Sequence, residues 1–463
     1  MPPHPPSHLF TLVSYPSCSS TTSLSASSSA SSLAHSIRHR VAGYRRSPSP
    51  PSPSATYSSS KAYVSIPEES LPVDIISADQ LAKDFTAKNP DITVKVETRP
   101  AGTDGDNIVK TRLSTGDMSD VFMYNTGSLF QAIAPQKNLV PLDDQSFVGQ
   151  LDKNFSTTVT ADGKVYGAPW GGFMAGAILY NKPVYAKLGL QIPKTWDDFM
   201  ANNAKIKASG VAPVIQTYQE TWTSQLLILG DFHNVAAAEP DFADKYTKNQ
   251  AKYATSAAAK AGFEHLQAVH DAGYLNKDFA SAKLPDGLRE LAQGKGAQYP
   301  ILSSTLAQLI ADNPGKENDI GLFPIPGTDA TKNGLTVWAP AGVYIPASTT
   351  GAKLDAAKKF AGFIASPDGC ASQTTASTPT GPYAVKGCAL PADVPQAVKD
   401  MQTYIDTPGG SSLALEFLSP VKGPSLEQIC VEVGSGIRKA DAGAARYDED
   451  VKKQAQQLGL AGW

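Results

Sequence analysis

Residues 92–128 read ITVKVETRPAGTDGDNIVKTRLSTGDMSDVFMYNTGS, and the succession of periods within them decides the fold. Ile92, Val94 and Val96 alternate with Thr93, Lys95 and Glu97, the two-residue period of a strand. A helix with a Lys110, Leu113 face follows and is ended by Gly116. Asp120-Val121-Phe122-Met123-Tyr124 then reads as a buried strand, and the next helix starts near Ser128. Strands alternating with helices imply βαβ units and a mostly parallel sheet. Ligands of such sheets sit beyond the carboxyl ends of the strands, at helix N-termini. That rule places Tyr124, Asn125, Gly127 and Ser128 on a candidate binding edge.

The same reading extends in both directions. Upstream, from Asp79, Leu81 and Phe85 mark an amphipathic helix that stops at Asn89-Pro90, because a residue before proline avoids the α region. Downstream, Lys164 to Gly172 is a strand running into a Gly-rich crossing, and Ala177 to Lys182 is a second strand. A helix capped by Thr195 covers Trp196 to Ile206. An Ala-rich helix runs from the 250s to Ala272 and ends at Gly273. Gly334 to Pro346 is strand-rich, and a helix from Asp355 to Ala365 is stopped by Ser366-Pro367. No tandem repeat is present.

A chain of 463 residues with 41% apolar composition needs at least two lobes and has ample material for their cores. No apolar run approaches the roughly 20 residues of a transmembrane helix. The net charge of -3 is unevenly spread: Met1 to Pro67 holds no acid and five cations, Arg38, Arg40, Arg45, Arg46 and Lys61. The rest sets 35 cations against 43 acids, a net -8, which opposes nucleic-acid binding. Cys18, Cys370, Cys388 and Cys430 lack the spacing of a zinc site. Cys370 and Cys388 could close a disulfide suited to an oxidising compartment, or stay buried thiols. His4, His8, His35 and His39 lie in the N-terminal segment, and His233, His265 and His270 form no HExxH pattern. No metal and no cofactor is expected.

Met1 to about Lys61 is dominated by Ser, Pro and Ala, cannot bury enough apolar area to order itself, and is expected to be disordered. Free of acids and containing Arg and Ser, it has the composition of an organellar transit peptide. It is unlike a secretory signal: Leu9 to Val13 is short and lacks a basic flank, and Cys18 lacks a lipobox. The alternative reading is a plain extension, or an artefact of where the coding region is taken to start.

An ordered set of short motifs then becomes informative. Pro90-Asp91-Ile92-Thr93-Val94 precedes Leu113-Ser114-Thr115-Gly116-Asp117 and Ser119-Asp120-Val121-Phe122. Gly163 to Pro169, Leu179-Tyr180-Asn181-Lys182 and Pro193-Lys194-Thr195-Trp196-Asp197-Asp198-Phe199 follow, with Tyr447-Asp448-Glu449-Asp450 near the end. Together, over roughly Asp79 to Leu458, these resemble the maltose-binding-protein-like family, the extracellular carbohydrate-binding proteins of bacterial ABC importers. The resemblance implies an α/β, two-lobed periplasmic-binding-protein fold of type II. It implies a disordered extension over 1–70 and a first lobe over 71–172, with a returning segment at about 339–378. The second lobe would be 173–338 with C-terminal helices at about 379–463. The implied function is capture of a sugar by cleft closure and its delivery to permease subunits of an ABC transporter. The implied setting is extracellular or cell-envelope, and the protein a monomer.

One departure stands out. The family begins with a strand and a polar binding loop, whereas here Leu71-Pro72-Val73-Asp74-Ile75-Ile76-Ser77 occupies that place, interrupted by Pro72. The first strand is therefore expected to be missing or replaced, leaving its neighbours' backbone groups exposed.

Sugars present hydroxyls for directed hydrogen bonds and C–H faces for aromatic rings. Carried onto this chain, the resemblance assigns Tyr124, Asn125 and Ser128 to a first-lobe loop and Trp170 to a crossing strand. It assigns Tyr218, Gln219, Glu220 and Trp222 to a second-lobe loop, Trp338 and Tyr383 to returning segments, and Glu416 and Phe417 to the C-terminal region. Trp196 belongs to its helix start, and Asp120 is expected to bond backbone rather than ligand. The Asn154-Phe155-Ser156 sequon is read as a chance triplet. A sugar-acting hydrolase would need two carboxylates at a set separation, and no paired-acid motif, G-x-S-x-G elbow or phosphate loop is present. A third reading is a remnant that lost transport with its altered N-terminus.

Overall fold

In the computed structural model, which describes residues 60–67, 72–99 and 102–463, the first sheet is led by a strand that periodicity did not place. Strand β1 (Ser60–Pro67) lies between β2 (Ile92–Arg99) and β3 (Val121–Tyr124) and is parallel to both. Its Val64 stands opposite Val96 on one side and Val121 on the other. Leu71–Ser77, the expected place of this strand, corrects to the start of a helix, Pro72–Lys88. Proline lacks an N–H that the first helical turn would leave unpaired anyway, so Pro72 suits that place and would break a strand. The family's first strand is not missing; it lies upstream, inside the stretch that composition assigned to the extension. The Ser/Pro-rich residues 1–59, with Cys18, their histidines and their transit-peptide composition, lie outside the described residues.

The first sheet continues past a hairpin of β4 (Thr160–Ala161) and β5 (Lys164–Val165) to β6 (Gly167–Trp170). The second sheet is centred on β7 (Met174–Asn181), with β8 (Ala212–Val214), β9 (Gly296–Leu302), β10 (Ile320–Phe323) and β11 (Leu335–Trp338). β12 (Ala341–Tyr344) returns to the first sheet, giving the order β2-β1-β3-β12-β6. β13 (Ser411–Leu413) goes back to the second, whose order is β13-β11-β7-β9-β8 with β10 also on β7. The chain therefore passes between two α/β lobes at 171–173, at 339–340, and between the helices Pro367–Ala376 and Gln396–Asp406.

Local signals account for the helix starts. Thr195 Oγ1 accepts the Asp198 N–H at 3.2 Å and opens the helix Trp196–Ala208. Ser366 Oγ accepts the Gly369 N–H at 3.2 Å and opens Pro367–Ala376. The helix expected from Asp355 begins earlier, at Gly351, and ends at Ile364. His265 is buried and stacked on Trp196 with ring centroids 3.6 Å apart, and burial lowers its pKa to about 3. His233 is also buried, with Ser412 Oγ 3.0 Å from Nδ1 and the Lys332 carbonyl 3.1 Å from Nε2. Among the described residues no helix is long and apolar enough to cross a membrane.

The closing Tyr447-Asp448-Glu449-Asp450 motif proves architectural. Tyr447 packs edge-on against Tyr253, with centroids 5.1 Å apart. Asp448 accepts the N–H groups of Tyr253 and Ala254, each at 2.9 Å. Asp450 accepts the Ser425 N–H at 2.7 Å and its hydroxyl at 2.9 Å.

Asp231, fully buried and bonded by Asn234 Nδ2 at 2.7 Å, has its carboxyl pushed up to about 8 by burial. A folded-state pKa above the unfolded one means that the proton stabilises the fold at low pH. That contribution disappears as pH rises through 8. The unfolding free energy from urea titration should therefore be about 2 kcal/mol lower at pH 8.5 than at pH 6.5 on account of this group. In Asp231→Asn this component should vanish; an unchanged pH dependence would show that Asp231 titrates normally.

Candidate functional site

The carboxyl ends of β3 and β6 and the crossings beside them frame a recess of about 220 Å³ between the lobes. Met123 on β3, Trp170 on β6, Ser77 on the first helix, Ser304 from the second lobe, Gln373 and Tyr383 contribute to its wall. Among the described residues that wall carries no Asp, Glu, Lys or Arg. Trp170 and Tyr383, assigned from residues far apart in sequence, meet here.

Hydrogen bonds hold the wall from behind. The Gly171 N–H donates to Gln373 Oε1 at 2.8 Å. Ser303 Oγ accepts the Ala175 N–H at 3.0 Å and donates to the Thr380 carbonyl at 3.1 Å. Tyr383 Oη and Thr374 Oγ1 are 2.8 Å apart, and burial raises the Tyr383 phenol above its ordinary pKa. The Phe173 N–H reaches the Pro382 carbonyl at 2.7 Å, and Gly172 bridges to Tyr383. The backbones approach so closely that a Cβ on Gly172 would lie 2.5 Å from the Gly381 carbonyl oxygen. A Cβ on Gly381 would overlap the Phe173 carbonyl oxygen. Cys370, buried, and Cys388, half-buried, are joined by a disulfide with Cα atoms 5.9 Å apart.

A second recess, about 460 Å³, opens where the loop after β3 faces the C-terminal region. Gly127, Ser128, Gln131, Glu416, Phe417 and Leu460 are on its wall. Gly127 has φ 68° and lies under Phe417 and the Glu416 carbonyl, so only glycine fits. Glu416 is already engaged: the Trp338 indole N–H donates to it and Lys422 Nζ lies 3.2 Å away.

The other assigned residues are placed differently. Tyr124, the last residue of β3, is buried, its phenol raised by burial and by the nearby Asp106 carboxylate. Arg99 beside it is buried, donates to the Met123 carbonyl at 2.7 Å, and has its pKa lowered by burial to about 10. Asn125 is exposed, and its carbonyl accepts the Tyr344 hydroxyl at 3.1 Å. Tyr218 is buried within the second lobe against Phe279, centroids 5.5 Å apart. Gln219 is exposed, Glu220 half-exposed, and Trp222 half-buried against the core. None of these four belongs to either recess wall. Trp338 is buried over Gly176. Asp120 meets Lys353 Nζ at 3.1 Å.

Ser77, Met123, Ser304 and Gln373 were not legible as site residues. Each sits inside an ordinary helix, strand or turn pattern with no local signal, and only chain crossings bring them together.

A sequence profile described as bacterial extracellular solute-binding protein matches residues 74–369. The multiple sugar-binding protein of Streptococcus mutans is 28% identical over 317 residues, 66% of this chain and 72% of the relative. The diacetylchitobiose binding protein DasA of Streptomyces coelicolor is 30% identical over 293 residues, covering 60% and 64% respectively. Among solved structures, a chitin oligosaccharide binding protein superposes with TM-score 0.75 at 19% identity, over 86% of this chain and 99% of that one. The raffinose complex of RafE gives TM-score 0.69 at 20% identity, over 86% and 99%.

Proposed function

The chain belongs to the bacterial extracellular solute-binding protein family, and from that premise we propose that it binds a neutral sugar or oligosaccharide for an ABC-type importer. The observation that carries this reading is the interlobe recess whose described wall is uncharged and contains Trp170 and Tyr383. Aromatic rings can cover the C–H faces of a pyranose, while Ser77, Ser304 and Gln373 supply neutral partners for its hydroxyls. The described part of the wall, without ionised groups, suits a neutral solute, because a charged one would be buried against it unpaired.

The first lobe in this reading comprises the β2-β1-β3-β12-β6 sheet with the helices Gly351–Ile364 and Pro367–Ala376. The second comprises the β7-centred sheet with the C-terminal helices, and the three crossings serve as hinge. The protein acts as a monomer outside the cytoplasmic membrane and hands its ligand to permease subunits, without nucleic-acid partners.

Calorimetry with raffinose, stachyose, melibiose and diacetylchitobiose tests the reading. Saturable heat with at least one of them, and no hydrolysis products, is the expected result. Heat from amino acids or peptides and none from sugars would overturn it. Trp170→Ala should weaken binding by about 1–3 kcal/mol through loss of a ring platform. Parental affinity in that variant would remove Trp170 from the site. Small-angle scattering should show compaction on saturation as the lobes close.

A further inference from the structure

We propose that the Cys370–Cys388 disulfide is a positioning element of the solute recess, fixing the wall that meets the crossover after β6. The inference rests on the reading of that recess as the binding site. The bond spans a sequence separation of 18, and the ring it closes carries Gln373, Thr380, Gly381 and Tyr383. The cross-linked loop thus supplies seven of the sixteen described residues of the recess wall.

The two ends of the loop are held unequally. Cys370 lies in the helix Pro367–Ala376, which is tied to the first helix by the Lys88–Asp368 ion pair and by Ser372 Oγ donating to Asp84 Oδ2 at 2.8 Å. Cys388 follows a stretch without regular secondary structure, fixed to the first lobe by one antiparallel bridge, Leu151 opposite Val385, and by burial of Ala384 and Val385. The Asp152 N–H donates to the Ala384 carbonyl at 2.9 Å, and the Lys386 N–H to the Gln150 carbonyl at 2.8 Å. Between the ends, residues 381–383 must stay in backbone contact with Gly172 and Phe173, where no slack exists for a Cβ on either glycine. The disulfide joins the end held by that short bridge to the helix Pro367–Ala376. Cross-linking a loop of this length restricts its open forms by on the order of a hundredfold. That restriction is what holds Tyr383 on the recess wall, bridged to Gly172.

Hydrogen exchange followed by mass spectrometry tests this on the full chain, oxidised and after dithiothreitol. The dithiol supplies two electrons and two protons, opens the S–S bond to two thiols, and itself closes to a cyclic disulfide. Among the described residues the remaining cysteine, Cys430, is an unbonded buried thiol and contributes no reducible bond. Reduction should speed exchange at least about tenfold in peptides covering 149–153, 171–173 and 371–388, and leave the β7-centred sheet unchanged. Affinity for whichever of the four sugars binds should fall about tenfold. The double variant Cys370→Ser/Cys388→Ser should match the reduced protein and ignore dithiothreitol. Equal protection of 371–388 in both states overturns the proposal, and so does a uniform loss of protection over the whole chain, which would mark a merely global staple. The exchange result needs no ligand. If no sugar binds but the local effect appears, the solute reading fails while the clamp stands. If Trp170→Ala loses binding and reduction changes nothing, the reverse holds.

Discussion

Gly381→Ala is expected to destabilise the protein by about 3 kcal/mol, the sum of overpacking a close backbone contact and losing a buried hydrogen bond. The added methyl would overlap the Phe173 carbonyl oxygen, with the Met401 methyl 3.2 Å away on another side. A backbone oxygen cannot rotate aside as a side-chain tip can. Relief therefore requires the 379–383 turn to withdraw, which breaks the bond from the Phe173 N–H to the Pro382 carbonyl and the bridge from Gly172 to Tyr383. The measurement is the urea midpoint at constant slope, with Gly149→Ala as control, because a Cβ there meets nothing within 4 Å. Equal midpoints for the two variants would show that the crossing is looser than the geometry implies. The same substitution should weaken sugar binding, because Tyr383 moves with the turn.

Asp448→Ala should cost about 2–4 kcal/mol by a different route. Both carboxylate oxygens are used, one by the Tyr253 N–H and one by the Ala254 N–H. Truncation strands two backbone donors against the second-lobe core, where Asp448 is only 8% exposed. Asp448→Asn keeps one acceptor and should recover part of the loss, while Glu449→Ala, next to it in the motif, should be close to neutral. A neutral Asp448→Ala would mean that water satisfies both donors. Binding of sugar by the folded fraction should be unaffected, which separates this motif from the recess.

These residues mark how far local patterns reach. The alternation at Ile92–Glu97 and the apolar run at Val121–Tyr124 identified β2 and β3, because period and burial are written in adjacent residues. Thr195 announced a helix start because capping is a contact over three positions, whereas Ser366, read as a stop, also caps the helix that follows. β1 was not legible for a physical reason. Its neighbours upstream are serine- and proline-rich, so composition outweighed an eight-residue strand whose pairing partners, β2 and β3, lie more than two dozen residues on. The second-lobe assignment Tyr218 to Trp222 came from the motif order. The fold turns Tyr218 into its core and leaves Gln219 exposed, since one tyrosine in a polar loop can face either way.

The sequence by itself determined the element types, the two-lobed α/β architecture and the family, because each of these follows from short-range periodicity and from motifs in a fixed order. It also marked Cys370 and Cys388 as a pair close enough to join. Only the tertiary structure decided which side chains share a cleft. Gly171 and Gln373 are 202 positions apart, and Met123, Trp170, Ser304 and Tyr383 belong to separate stretches of the chain. Their meeting depends on how strands return between the two sheets, a long-range packing outcome that no local spacing encodes.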